Sequence, residues 1–265
     1  MQAAFASVEA RGPAIKQDLH LLSELIKRDF VARFTGSALG WLWAVLQPAI
    51  LIAVYWFVFT FMIPAPPPGG GDKYIYFLMA GLIPWIAINE GLMRSLTSIV
   101  DNAAMVRKLP LRSELLVIVP NASALIFEAV ALLLFAIGLT IVRGFPVMAW
   151  ILPVALAMQF ALQMALALCL AAAYVFLRDV GQILGFVLSV VFFISPILYP
   201  AGGRFGSILA WNPLTPLIGL FRTAMLGTPL PDASSIVFLL VATCAASAAS
   251  FLFFRRVQPF LVDLI

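Results

Sequence analysis

The sequence predicts an all-α membrane protein with six transmembrane helices, an N-terminal amphipathic helix, and re-entrant helices on the outer face between spans five and six. Three observations lead there. First, 63% of the 265 residues are hydrophobic, only 11% are charged, and the mean hydropathy is +1.08. A soluble domain of this size cannot hide so much apolar surface, so its solvent is lipid. Second, six stretches are long and apolar enough to cross a hydrocarbon core about 30 Å thick. They are residues 39–63, 74–96, 115–142, 148–176, 181–199 and 236–254. Third, with the N-terminus inside, twelve of the sixteen Lys and Arg fall on the cytoplasmic side. Only Lys73, Arg143, Arg204 and Arg222 fall outside. That bias predicts that both termini are cytoplasmic.

The organisation follows from these spans. Residues 1–37 form a cytoplasmic N-terminus with the amphipathic helix, 38–254 the six-span domain, and 255–265 a cytoplasmic tail. Residues 1–20 are polar and show no cleavable signal, so the first span is expected to direct its own insertion. The pI near 9.3 would point to nucleic acid in a soluble protein; here it fits basic loops facing an anionic leaflet.

The amphipathic segment covers 17–34. Leu19, Leu22, Leu25, Ile26 and Phe30 recur at helical spacing, with Lys27, Arg28 and Arg33 on other faces. This is the pattern of a helix in the headgroup plane. Two roles fit it, a membrane anchor or a docking surface for a cytoplasmic partner. Gly36/Gly40 and Gly181/Gly185 open the first and fifth spans as small-xxx-small pairs that permit close helix approach. The connector at 64–73, rich in Pro and then Gly, reads as a stiff and then flexible link.

Between spans two and three, residues 98–112 are longer than a tight hairpin needs and mix apolar, acidic and basic residues. They suggest a short cytoplasmic helix, or a basic loop obeying the charge bias. Within the membrane, Glu90 and Arg94 stand four apart and can pair along one face. Glu128 lies near the middle of the third span and should face the bundle or a wet cavity. It reads as a packing residue or a proton-handling acid.

Trp41, Trp43, Tyr74, Tyr76, Trp85 and Trp150 suit interfacial belts. Tyr55, Trp56, Phe57, Phe59, Phe186, Phe192 and Phe193 lie deeper, where rings either pack or stack on a passing solute. Ser195-Pro196 and Tyr199-Pro200 break the fifth span near its outer end. Residues 207–227 are apolar, but Asn212-Pro213 and Pro216 interrupt them and Arg222 would sit deep in lipid. A re-entrant pair of short helices resolves this, because irregular backbone at depth must be covered by protein or water.

Several chemistries are excluded. No G-x-x-x-x-G-K-[ST] occurs, so no P-loop binds ATP here. His20 and the separated Cys169 and Cys244 offer no metal site. No nucleophile–base pair or carboxylate dyad is present, so an enzyme is disfavoured.

Five stretches, in order, resemble one family: Arg28-Asp29-Phe30 with Gly40-Trp41-Leu42-Trp43 and Gln47-Pro48; Gly81-Leu82-Ile83-Pro84-Trp85; Arg178-Asp179-Val180-Gly181-Gln182; Ser195-Pro196-Ile197-Leu198-Tyr199-Pro200; and Trp211-Asn212-Pro213-Leu214-Thr215-Pro216. The chain is similar to permease subunits of type 2 ABC exporters, the bacterial polysaccharide exporters for O-antigen, teichoic acid and capsule. The resemblance implies a homodimer in the bacterial inner membrane, docked to two copies of a separate cytoplasmic ATPase that supplies ATP and Mg. It implies no cofactor in this chain, no nucleic-acid partner, and a polyprenyl-pyrophosphate-linked glycan as substrate.

The resemblance also assigns residues. The amphipathic helix, with Leu22, Leu25, Ile26, Lys27, Arg28 and Arg33, would be the interface helix. Asp101, Asn102, Val106, Arg107, Lys108 and Arg112 would form the coupling helix seated on the ATPase, with Arg178 and Asp179 at a second contact. Tyr55, Trp56, Phe59, Phe186, Phe192, Phe193 and Tyr199 would line the channel, and residues 203–231 would be the periplasmic re-entrant helices. Arg28 and Arg33 would attract the pyrophosphate. The same architecture serves drug or lipid efflux. A proton-coupled secondary transporter using Glu90 and Glu128 is a different class.

Overall fold

A computed structural model describes residues 11–62, 72–108, 112–144, 148–202 and 206–264. The expectations for residues 64–71, 109–111 and Arg204 lie outside the described residues, as do the side chains of Lys16, Lys73, Lys108 and Arg143. Every element among the described residues is helical: α1 (Arg11–Ala32), α2 (Trp43–Phe57), α3 (Asp72–Asp101), α4 (Ala103–Lys108), α5 (Ser113–Arg143), α6 (Leu152–Phe176), α7 (Val180–Ile194), α8 (Gly206–Leu209), α9 (Leu214–Leu226) and α10 (Ala233–Leu264). A tight 3-10 turn (Gly40–Leu42) leads into α2 and a wide turn (Val58–Met62) follows it.

Five helical stretches are long and apolar enough to cross a membrane: Gly40–Met62, Tyr74–Asp101, Ser113–Val142, Ala149–Phe176 and Ala233–Gln258. The expected fifth span at 181–199 is shorter than the sequence suggested. Its helix stops at Ile194 after 15 residues, about 22 Å. The cause is Pro196, whose ring disfavours the α region at the preceding residue. Ser195 accordingly turns to φ −82°, ψ 145°.

The bundle is organised around α3. In its apolar window 72% of the residues are buried, against 6% for the first span, so α3 is the hub and α2 an outlying helix. Helices α5, α6, α7 and α9 pack on α3; α10 packs along α6, and α2 leans on α5. The fully buried Leu78, Met79, Leu92, Leu96, Ile99, Leu132, Leu217 and Phe221 form the core where these helices meet. Both α3 and α5 are about 45 Å long, more than a hydrocarbon core requires.

The excess length accommodates α1. Its half-buried residues are Asp18, Leu21, Leu22, Leu25, Ile26, Asp29, Phe30, Arg33 and Phe34, a stripe of i, i+3, i+4 spacing that continues past the helix end. Leu19, expected on the apolar face, points outward at 61% exposed. Asp18 meets Arg112 at the start of α5, and Phe30 and Phe34 meet Phe127 one half-helix further on. Residue numbers rise together, so α1 runs lengthwise beside this half of α5.

Gly36 and Gly40 have a different role from the one expected. Their φ values are +83° and +51°, and a Cβ on either would meet nothing. They give the chain a left-handed turn from α1 into the first span, not a helix-packing groove. At the other end of the chain, α10 continues unbroken through Arg255 and Arg256 to Leu264, so the expected tail at 255–265 is helical as far as it is described.

Candidate functional site

Four charged residues join α1 to α3. Arg94 Nη2 donates to Asp29 Oδ1 at 2.6 Å, and Arg33 Nη2 lies 2.5 Å from Glu90 Oε1. The pairs cross-link more weakly, with Arg94 to Glu90 at 4.0 Å and Arg33 to Asp29 at 3.9 Å. Glu90 and Arg94 thus share a face as expected, but each finds its close partner on the amphipathic segment. Helical spacing explains the fit: 29 and 33, like 90 and 94, are one turn apart, so two turns lie face to face with alternating charge. The Arg33 guanidinium also covers the Phe127 ring at 4.2 Å, and Phe127 stacks on Phe30 at 5.1 Å. Burial pushes the Arg33 guanidinium below its ordinary range, with Glu90 opposing.

A second polar layer sits inside the bundle. Asn121 Nδ2 donates to Ser95 Oγ at 2.5 Å and to Val117 O at 2.8 Å. Gln163 Nε2 donates to Asn121 Oδ1 at 2.7 Å. One layer along, Gln159 Nε2 donates to Glu128 Oε2 at 2.5 Å. All five residues are at least 97% buried. Gln159 and Gln163 are one turn apart on α6, and Asn121 and Glu128 two turns apart on α5, so two polar contacts stitch the helices together. Gly91 makes room: a Cβ there would lie 1.7 Å from Gln163 Nε2. Glu128 therefore faces the bundle, as expected, and it also lines a cavity bounded by α2, α3 and α5.

At the opposite end of α3, the breaks in the sequence lock together. Asn212 Nδ2 donates to Ser195 Oγ at 2.9 Å, while Asn212 Oδ1 accepts from Leu214 N at 3.0 Å in an Asx-turn that leads into α9. Arg222, expected on the outer side within the re-entrant helices, is only 6% exposed. Its Nη2 donates to Ile197 O at 3.0 Å, its Nε to Phe77 O at 3.4 Å, and its guanidinium lies 3.4 Å from the Phe77 ring centre. Tyr74 Oη donates to Leu198 O at 2.8 Å. The bonds to Ile197 O and Leu198 O satisfy carbonyls that the 195–199 break exposes.

The remaining candidates fall into distinct places. Asp101 and Arg107 are exposed, while Val106 is buried beneath α4. Asn102 anchors α4: its Nδ2 donates to Ser98 O at 2.8 Å and its carbonyl accepts from Met105 N and Val106 N. Arg112 reaches back to Asp18 at 3.4 Å. Arg178 and Asp179 are exposed at the α6–α7 turn, at the same end of the bundle. A groove there is lined by Leu25, Arg28, Arg94 and Asp101. Lys27 and Arg28 face outward, unlike Arg33.

The aromatics divide as well. Tyr55 stacks on Phe59, Phe59 packs on Tyr74, and Phe192 packs on Trp85, so these rings belong to the helix contacts. Trp56, Phe186 and Phe193 are 47%, 72% and 64% exposed. Tyr199 is anchored through its hydroxyl to Phe193 O at 2.7 Å.

Asn121, Gln159, Gln163 and Ser95 were not singled out from sequence, although uncharged polar residues one turn apart within an apolar span are the signal that marks such a layer. Nor were Arg222 and Asp29 given a role; one was assigned to the outer re-entrant helices and the other had no visible partner.

The family model described as ABC-2 type transporter matches residues 20–226. The O-antigen export system permease protein RfbA of Myxococcus xanthus is 27% identical over 252 residues, covering 91% of this chain and 94% of that protein. A protein of the same name from Klebsiella pneumoniae is 24% identical, covering 76% of this chain and 78% of its own length. The polysialic acid transport protein KpsM of Escherichia coli is 24% identical, covering 83% and 86%. The family match spans the α1 ion cluster, the polar layer and the Arg222 lock alike, and the chain belongs to the ABC-2 type transporter family of membrane permeases.

Proposed function

We propose that this chain is the permease subunit of an ATP-driven exporter that moves a polyprenyl-pyrophosphate-linked polysaccharide across a bacterial inner membrane. One observation carries the reading: similarity runs nearly end to end along relatives named for O-antigen export and polysialic acid transport. With no P-loop in the sequence, ATP and Mg belong to a separate ATPase, two copies of which dock on a permease homodimer.

In this reading the end bearing α4 and the α6–α7 turn faces the cytoplasm, with both chain termini. Arg107 and Asp101 on one contact and Arg178 and Asp179 on another are exposed there for the ATPase. The helix α7 with its 195–199 extension makes the fifth of six crossings, and α8 and α9 form the re-entrant pair. The Arg222 bond to Ile197 O and the Tyr74 bond to Leu198 O support this, since broken backbone within a membrane must find its partners in protein. The exposed apolar faces of α2 and α7 meet the second copy, and Trp56, Phe186 and Phe193 border the glycan path.

The test is deletion of this gene alone followed by analysis of lipid-linked glycans. Accumulation of undecaprenyl-linked polymer inside, with its loss from the surface, is the expected result. An unchanged glycan profile would overturn the substrate and move the assignment to lipid or drug efflux.

A further inference from the structure

We propose that the cavity between α2, α3 and α5 binds a small amphiphile headed by a protonated amine, with Glu128 as the counter-ion. The cavity has a volume of about 80 Å³ and is open on one side, so it holds an ammonium head and the first carbons of a chain whose remainder runs out along the apolar wall. Leu51, Ile86 and Phe127 supply apolar wall, and Arg33, Glu90 and Glu128 supply its ionisable groups. An alkyl chain suits the walls, and the charges decide the head.

Arg33 and Glu90 neutralise one another at 2.5 Å, as Arg94 and Asp29 do at 2.6 Å. Glu128 is left over. It is 3% exposed, and its described polar contact is a neutral amide, the Gln159 Nε2 donated to its Oε2. Among the described residues its Oε1 meets no donor, nor does Gln159 Oε1. A buried carboxylate without a cation is expensive, and a neighbouring acceptor left empty adds to the cost. Water would satisfy the lone pairs but brings no cation to accompany an ionised Glu128. An ammonium head brings both the cation and several donors. An anionic head meets the carboxyl without a compensating charge, and a hydroxyl head supplies none.

The site is independent of the exported solute, so its test does not depend on export. The intact permease, purified in a neutral detergent at neutral pH, is titrated with octylamine, octanol or octanoate while its unfolding temperature is followed. Octylamine should raise that temperature saturably, and octanol and octanoate should not. Glu128→Gln keeps the side-chain shape and should weaken octylamine at least about tenfold, the worth of one charge-assisted contact. Ala131→Leu, which fills the cavity and leaves the carboxylate in place, should abolish the shift and serves where Glu128→Gln does not fold. No shift with octylamine, an equal shift with octanol, or an unaltered octylamine response in the Ala131→Leu protein would each overturn the proposal.

Discussion

Arg94 Nη2 donates to Asp29 Oδ1 across 65 positions of sequence, at 2.6 Å, and this bond fixes the amphipathic helix to the hub of the bundle. The α3 turn that holds it leads, within nine residues, through Asp101 to the short helix α4. Helix α1 is therefore tied by ion pairs to the end of α3 that carries α4.

Reversing one charge of this pair should loosen α1. Asp29→Arg or Arg94→Asp alone places like charges in contact. With Asp29 and Arg94 at 20% and 33% side-chain exposure, solvent screens part of the effect, so the expected loss is about 1–2 kcal/mol. The double swap should recover part of it. Hydrogen exchange of the α1 amides in the three variants reads this directly; equal protection in all three would show that the leucine stripe alone holds α1.

Gly91→Ala should disrupt the polar layer. A methyl group 1.7 Å from Gln163 Nε2 and 2.8 Å from Asn121 Oδ1 forces both amides to move, and overpacking costs about 1–3 kcal/mol. Gly138, where a Cβ meets nothing, is the control: Gly138→Ala should be neutral or stabilise by up to about 1 kcal/mol through helix propensity. Unfolding temperatures of the two variants in detergent should move in opposite directions or differ by several degrees.

The sequence was most readable where the solvent imposed a long period. All five long stretches begin within about three residues of the expected spans because hydropathy reports lipid contact directly. The Ser195-Pro196 break and the helical spacing of 22, 25, 26 and 30 were equally visible. What was hidden depends on a distant partner. Arg33 was read as a free cation near the headgroups, and nothing local says that Glu90 receives it. Arg222 was placed outside because an arginine in an apolar run seems costly; the carbonyls of Ile197 and Phe77 that cover it lie 25 and 145 residues away. Leu19 counted as apolar face by composition, and only the register of α1 on α5 turns it outward.

Arg222→Met should destabilise the 195–199 turn while leaving most of the bundle intact. It removes donors from two carbonyls and a cation from the Phe77 ring, together about 2–3 kcal/mol. Arg222→Lys should rescue only partly, because one ammonium cannot keep the planar fork and the stack together. Protease accessibility near Pro200 and the unfolding temperature should change together. A native profile in the Met variant would remove Arg222 from the lock.

The exposed and the packed aromatics should separate in function. Phe59→Ala removes a ring stacked with Tyr55 and set against Tyr74, so a stability loss of about 2–4 kcal/mol is expected whatever its effect on transport. Phe193→Ala and Phe186→Ala remove rings that the chain leaves 64% and 72% exposed, so the monomer should lose less than about 1 kcal/mol. If those rings border the glycan path, surface glycan should fall in their variants while the amount of inserted permease stays constant. If they join two copies, cross-linking between protomers should fall instead. Normal export and normal cross-linking would leave them as lipid-facing side chains.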